Sequence, residues 1–270
     1  MMKRISILLF LCFLAAALSV GCSSGQEVNT QTKATDSIYN ANNNIIVEQT
    51  DYTDDEGTYH PFTYSWGFDG VVFKQENDRY YILTVYHALD DLSDDMQLVV
   101  IGFDDLTYGE YTEKNNVDFS AVSPLDYYSD FPRAVVEYYD KSNDLAILSF
   151  ESTKEINLAQ FSGSPIEVGE EVYCISSPEG NERDLLSEGR ILATDKDEKF
   201  DDGSDISGVF LHSCYIDHGS SGSAVYNKSD QIVGINVGGA TGIFGRFKYG
   251  MAVPSEKINS FLAEWENDAK

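Results

Sequence analysis

Asp217-His218-Gly219-Ser220-Ser221-Gly222-Ser223-Ala224-Val225-Tyr226, followed by the apolar run Ile232-Val233-Gly234-Ile235, is the stretch from which the rest of this 270-residue chain can be read. It packs small residues into a turn between two strand-like segments. Glycines at 219 and 222 permit a positive φ and a close backbone approach. A serine held between them can expose its hydroxyl while neighbouring N–H groups converge on one point. An acyl-transfer nucleophile needs that geometry, although a Gly/Ser cluster by itself is also an ordinary turn.

Two upstream segments decide between these readings. Tyr80-Tyr81-Ile82-Leu83-Thr84-Val85-Tyr86-His87 is a strongly β-prone run ending on a histidine, and Asn143-Asp144-Leu145-Ala146-Ile147-Leu148 places an aspartate at the start of an apolar strand. A serine hydroxyl becomes a useful nucleophile when a neutral imidazole accepts its proton. The imidazole in turn needs a carboxylate to fix its tautomer and stabilise its cation. His87, Asp144 and Ser221 supply those three roles in that chain order.

These residues carry a resemblance. Thr84-Val85-Tyr86-His87, Asp144-Leu145-Ala146-Ile147-Leu148 and Gly219-Ser220-Ser221-Gly222-Ser223 are similar to the His, Asp and Ser motifs of trypsin-like serine proteases, nearest to the bacterial Deg/HtrA branch and the glutamyl endopeptidases. Further similar stretches are Val168-Gly169-Glu170-Glu171-Val172-Tyr173, Glu188-Gly189-Arg190-Ile191, Ile232-Val233-Gly234-Ile235-Asn236 and Tyr249-Gly250-Met251-Ala252-Val253-Pro254. The likeness implies an all-β, chymotrypsin-like fold: two six-stranded antiparallel β-barrels and a C-terminal α-helix.

The expected organisation has three parts. Residues 1–22 read as an export signal, with Lys3 and Arg4 ahead of an apolar run from Ile5 to Leu18 that is too short to favour a membrane span. Leu18-Ser19-Val20-Gly21-Cys22 resembles a bacterial lipobox, with Ser19 where leucine is usual, so Cys22 is the expected lipidation site. The chain is accordingly expected to be exported and lipid-anchored to the cell envelope, full secretion being the alternative. Residues 23–44, rich in Ser, Thr, Gln and Asn, read as a flexible tether. Residues 45–270 form the protease-like domain, with barrels at about 58–155 and 160–254 and a helix at 255–267.

Expected strands are 67–74, 79–86, 96–103, 133–139, 145–150, 171–176, 188–194, 207–213, 223–226, 231–237 and 249–253, punctuated by turn signals such as Gln75-Glu76-Asn77-Asp78. Ile258, Phe261, Leu262 and Trp265 follow helical spacing after the start signal Pro254-Ser255.

Charge excludes some partners. With 45 acidic against 18 basic residues and a net charge of −27, the chain is a poor match for nucleic acid or anionic membrane surfaces. Membrane contact is expected only through the N-terminal lipid. Acidic clusters at 51–56, 90–95 and 195–205 read as solvated loops. Asp195-Lys196-Asp197 lacks calcium-loop spacing because Lys199 and Phe200 stand where the next ligand and the turn glycine belong. No metal or other cofactor is expected. Of four cysteines, only Cys174 and Cys214 fall in the domain, as a candidate disulfide.

The resemblance implies that Ser221 attacks a peptide carbonyl, His87 takes its proton, Asp144 holds the imidazole, and the Gly219 and Ser221 N–H groups form an oxyanion hole. Ser220 is the competing serine, but the family pattern places the nucleophile directly before the second glycine. The implied substrate pocket is walled by Asn236-Val237-Gly238 and Tyr249-Gly250-Met251, with Tyr215 and Ile216 near its base. Glutamyl endopeptidases have histidine where Asn236 stands, and no acid lies at the base, so an uncharged side chain is the expected preference. Ser220 stands where digestive members carry an aspartate, so no trypsin-style activation at Ile46-Val47 is expected. The PDZ domain usual in Deg/HtrA proteins is not expected before the chain stops at Lys270.

An α/β-hydrolase elbow fails because position 223 is serine and no histidine follows His218; a subtilisin order using Asp69 lacks the alternating strand–helix pattern. The rival from another class is a catalytically inactive lipoprotein using the same barrels to bind protein or glycan.

Overall fold

The computed structural model describes residues 36–54, 56–118, 121–178, 183–200 and 204–268. Residues 1–22, expected as an export signal ending at Cys22, and residues 23–35 of the expected tether lie outside the described residues. A short helix, α1 (Asp36–Ala41), leads into β1 (Asn42–Thr53). With β2 (Tyr59–Glu76), β3 (Arg79–Thr84), β4 (Met96–Gly102), β5 (Arg133–Asp140) and β6 (Leu145–Glu151) it closes an antiparallel barrel in the order β1-β2-β3-β6-β5-β4. Between β4 and β5 lie α2 (Tyr108–Asn115) and α3 (Pro124–Tyr128), each with a side-chain N-cap, from Thr107 and Ser123 respectively.

Alternation explains why β3 and β6 are apolar on both faces. Tyr80, Ile82, Ala146, Leu148 and Phe150 point into the barrel beside Leu98 and Val100. Tyr81, Leu83, Leu145 and Ile147 point outward, yet they are buried in a second cluster with Tyr173, Ile175, Ile232 and Ile235 from the C-terminal half. That cluster is the seam between two barrels.

The second barrel is built from β8 (Glu171–Ser176), β9 (Leu185–Lys199), β10 (Asp205–His212), β11 (Ala224–Asn227), β12 (Gln231–Thr241) and β13 (Phe247–Pro254); a two-residue strand, β7 (Gln160–Phe161), runs parallel along β12. Pairing follows β11-β8-β9-β10-β13-β12, and the register Ala224↔Ile235 joins β12 back to β11. The circuit therefore has six strands, as expected. Its interior holds Val172, Cys174, Ile191, Phe210, Cys214, Val225 and Val233. α4 (Ser255–Asp268) buries Ile258, Phe261 and Trp265 against the seam, with Trp265 meeting Tyr81 and Phe73 at ring-centroid distances of 5.1 and 5.9 Å.

The structure corrects the N-terminal boundary. Residues 36–44, expected to end the flexible tether, form α1 and the start of β1, so the first barrel begins at Asn42 rather than near 58. The polar triplet Asn42-Asn43-Asn44 is buried because its amides are satisfied: Asn42 Nδ2 donates to Ile175 O at 3.0 Å, Asn43 Nδ2 to Ala41 O at 3.0 Å, and Asn44 Nδ2 to Asp69 Oδ1 at 3.2 Å. Further along β1, Glu48 is buried and held by Arg133, whose Nη2 donates to both carboxylate oxygens at 3.1 and 3.2 Å.

β2 begins at Tyr59 instead of 67. The acidic stretch at 195–205, expected as a solvated loop, contributes the outer ends of β9 and β10, paired as far as Lys199↔Asp205. Ile46-Val47 lies inside β1, hydrogen-bonded between β2 and β4. Among the described residues no helix is long and apolar enough to cross a membrane.

Candidate active site

The antiparallel register Thr84↔Ala146 brings the end of β3 beside the start of β6. His87 opens a 3-10 turn just past β3, and Asp144 immediately precedes β6 with a φ of 52°, a conformation that aspartate tolerates better than most residues. The side chain of Asp144 is clamped by one partner twice. His87 N–H donates to Oδ1 at 2.7 Å, and His87 Nδ1 lies 2.7 Å from Oδ2. A proton on Nδ1 satisfies the carboxylate and leaves Nε2 as an acceptor, and Nε2 lies 3.1 Å from Ser221 Oγ.

Ser221 arrives from the other barrel, in the turn between β10 and β11. Its carbonyl accepts from Asp69 N–H at 2.8 Å, and Asp69 O accepts from Thr84 Oγ1 at 2.7 Å. This stitch requires contact closer than a side chain allows. A Cβ on Gly222, whose φ is 86°, would lie 1.9 Å from Asp69 O and 2.3 Å from Thr84 Oγ1. Gly219 also has positive φ, at 91°. Among the described residues, neither Gly219 N–H nor Ser221 N–H donates to a protein acceptor.

The two adjacent serines are separated by direction. Ser220 is fully buried, and its Oγ accepts from Asp217 N–H at 3.2 Å and meets Ser176 Oγ at 3.2 Å. Only Ser221 faces His87.

The Asp69 carboxyl is buried at the seam, receiving Ser177 N–H at 2.7 Å and Asn44 Nδ2 at 3.2 Å. Burial pushes its pKa up to about 7, against those hydrogen bonds. Burial likewise lifts Asp184 to about 6.

The expected pocket residues are adjacent but largely enclosed. Asn236 and Val237 are fully buried and Ile216 is nearly so, and the Asn236 amide does not present itself as a free wall. A Cβ at Gly238 would meet Phe200 Cε1 at 2.8 Å, and one at Gly250 would meet His212 Cε1 at 2.3 Å and Ile216 Cδ1 at 3.0 Å. Tyr215 stacks edge-on against Phe247 at 5.4 Å and donates its hydroxyl to Asp217 Oδ2 at 3.1 Å. Phe200 and His212 were not expected here. Gly250 was the available signal, since a lone glycine in a strand marks a close approach.

Cys174 and Cys214, the candidate disulfide, are two free buried thiols. Contact with Cys214, together with burial, holds Cys174 well above the ordinary thiol range, so the pair retains a proton. No group of three metal-ligating side chains occurs among the described residues.

Comparison with known proteins adds to this geometry. A family model described as a trypsin-like peptidase domain matches residues 68–235. A serine protease Do-like HtrA of Lactobacillus helveticus is 28% identical over 207 residues, covering 76% of this chain and 42% of that protein. The corresponding Lactococcus lactis subsp. cremoris protein is 25% identical over 213 residues, covering 74% and 45%. A probable periplasmic serine endoprotease DegP-like of Rickettsia conorii is 24% identical over 132 residues, covering 48% and 26%. The chain thus spans less than half the length of these relatives.

Proposed function

Because the chain belongs to the trypsin-like peptidase family, we propose that it is an exported serine endopeptidase in which His87, Asp144 and Ser221 act as the catalytic triad. The observation that carries the reading is the line Asp144–His87–Ser221, with separations of 2.7 and 3.1 Å, drawn across two barrels. A fold that had given up catalysis for binding has no reason to keep that alignment, which disfavours the non-catalytic module.

In the proposed reaction Ser221 Oγ attacks a peptide carbonyl as Nε2 of His87 takes its proton. Asp144 keeps the other ring proton on Nδ1 and stabilises the imidazolium that forms. The N–H groups of Gly219 and Ser221 receive the oxyanion, a contribution on the order of 10²–10³ in rate per donor in enzymes of this type. His87 then protonates the leaving amine, and water repeats the sequence on the acyl-enzyme.

The substrate is a protein or peptide. Phe200 beside Gly238, and Ile216 and His212 beside Gly250, leave little depth, which supports a small uncharged side chain at the cleaved residue. Export and lipid attachment through Cys22 complete the proposal and rest on the N-terminal sequence.

The test is fluorophosphonate labelling of protein that starts ahead of Asp36, since cutting at 45 would remove α1 and the first residues of β1. Labelling should vanish in Ser221→Ala and His87→Ala and survive in Ser220→Ala. A folded protein that takes up no probe would refute the proposal.

A further inference from the structure

Behind Ser221 a buried line of side chains runs away from His87. His212, on β10, is fully buried; its Nε2 lies 2.7 Å from Asn236 Oδ1. Asn236 Nδ2 donates to Ser223 Oγ at 2.9 Å, and Ser223 Oγ donates to the Ser220 carbonyl at 2.6 Å. All three side chains are at most 1% exposed. Room for the imidazole comes from Gly250, the cross-strand partner of His212 on β13.

The line has a direction. Among the described residues His212 Nδ1 makes no hydrogen bond of good geometry, although the Cys214 thiol, which can donate to a bare Nδ1, lies close enough to interact with the ring. An unpartnered buried lone pair costs less than an unpartnered buried N–H, so the ring proton belongs on Nε2 and is donated to Asn236 Oδ1. That fixes the amide with its NH₂ toward Ser223. The Ser223 hydroxyl, its lone pair already engaged, turns its own proton to Ser220 O.

Pinning Ser220 O has a consequence one atom further on. The 220–221 peptide is planar and trans, so the Ser221 N–H points opposite to the Ser220 carbonyl. Ser223 N–H also donates to that carbonyl, at 3.1 Å, and Asp69 N–H holds the next carbonyl, that of Ser221, at 2.8 Å. The Ser221 N–H is thereby aimed outward and left undonated.

We propose that His212, Asn236 and Ser223 are positioning residues for the oxyanion hole, orienting the Ser221 N–H through the Ser220 carbonyl. This inference rests on the proposed endopeptidase reading but has an arm independent of it. The residues touch no reacting atom.

The experiment compares wild type with Ser223→Ala, Ser223→Thr, His212→Phe, His212→Gln and Asn236→Asp by peptide hydrolysis and by amide hydrogen exchange over residues 219–223. Asn236→Asp keeps the shape and, assayed at a pH where it is ionised, offers only acceptors, turning the Ser223 proton away from Ser220. Ser223→Ala and Asn236→Asp should lower kcat about tenfold or more with KM within about twofold, given the 10²–10³ attached to losing a whole donor. Exchange across 219–223 should quicken in both. Ser223→Thr, which keeps the hydroxyl, and His212→Gln, which keeps a donor near Nε2, should stay closer to wild type than Ser223→Ala and His212→Phe. Wild-type kcat in Ser223→Ala would overturn the proposal. If wild type itself hydrolyses nothing, the nucleophile reading falls, and the exchange arm still decides: unchanged exchange in Ser223→Ala and Asn236→Asp overturns the inference, and faster exchange supports it.

Discussion

Asp69→Asn should change how stability depends on pH while leaving Ser221 in place. The buried Asp69 carboxyl ionises at about 7 in the folded protein, against an ordinary value of 3.8. Between those values the unfolded chain has released a proton that the folded chain keeps, so stability falls as pH rises. At 1.36 kcal/mol per unit, the wild type loses about 3 kcal/mol between about pH 5 and about pH 8 from this group alone. The substituted amide has no proton to lose, and its oxygen can still accept from Ser177 N–H. Urea unfolding of both proteins at the two pH values isolates the effect, because the many other acidic groups contribute equally to each. The variant should gain about 3 kcal/mol on the wild type between the two conditions. Its fluorophosphonate labelling should persist, since the link to Ser221 runs through the residue 69 backbone N–H. Parallel pH dependences would refute the assignment of a neutral buried carboxyl at the seam.

Other perturbations test other parts of the structure. Gly222→Ala forces a Cβ to within 1.9 Å of Asp69 O at positive φ, and should cost on the order of 3 kcal/mol and abolish labelling; a melting temperature within a degree or two of wild type would contradict the close approach. Arg133→Ala leaves the Glu48 carboxylate buried without its cation and should cost about 3 kcal/mol by chemical denaturation, with Arg133→Lys intermediate. Cys174 and Cys214 should resist maleimide in the folded protein and react together on unfolding, whereas a mass 2 Da lower with no reactive thiol after unfolding would mean that they had been oxidised to a disulfide.

The turn around Ser221 was legible because its chemistry is local: glycines at 219 and 222, both at positive φ, bracket the serine within four residues. The apolar runs of β3 and β6 were legible for the same reason. β1 was not, because what turns Asn42, Asn43 and Asn44 from linker into barrel includes acceptors on Ile175 and Asp69, far along the chain. Read locally, three asparagines signify solvent. The 195–205 segment misled in another way: Asp195, Lys196, Asp197 and Lys199 at the end of β9 are exposed, so no apolar alternation marks that end of the strand, although its partner strand buries Ile206. His212 showed nothing in its own neighbourhood, since its burial depends on Gly250 opposite and its role depends on Asn236.

The division of the site between two barrels also sets when it can exist during folding. His87 and Ser221 are 134 positions apart, and their alignment waits on β11 docking against β8 and β12, and on Asp69 meeting the carbonyl of Ser221. Contacts of such long sequence separation form late, after the entropy of closing a large loop has been met. In a chain still emerging from synthesis, His87 and Ser221 have not met, and they come together only when the second barrel closes.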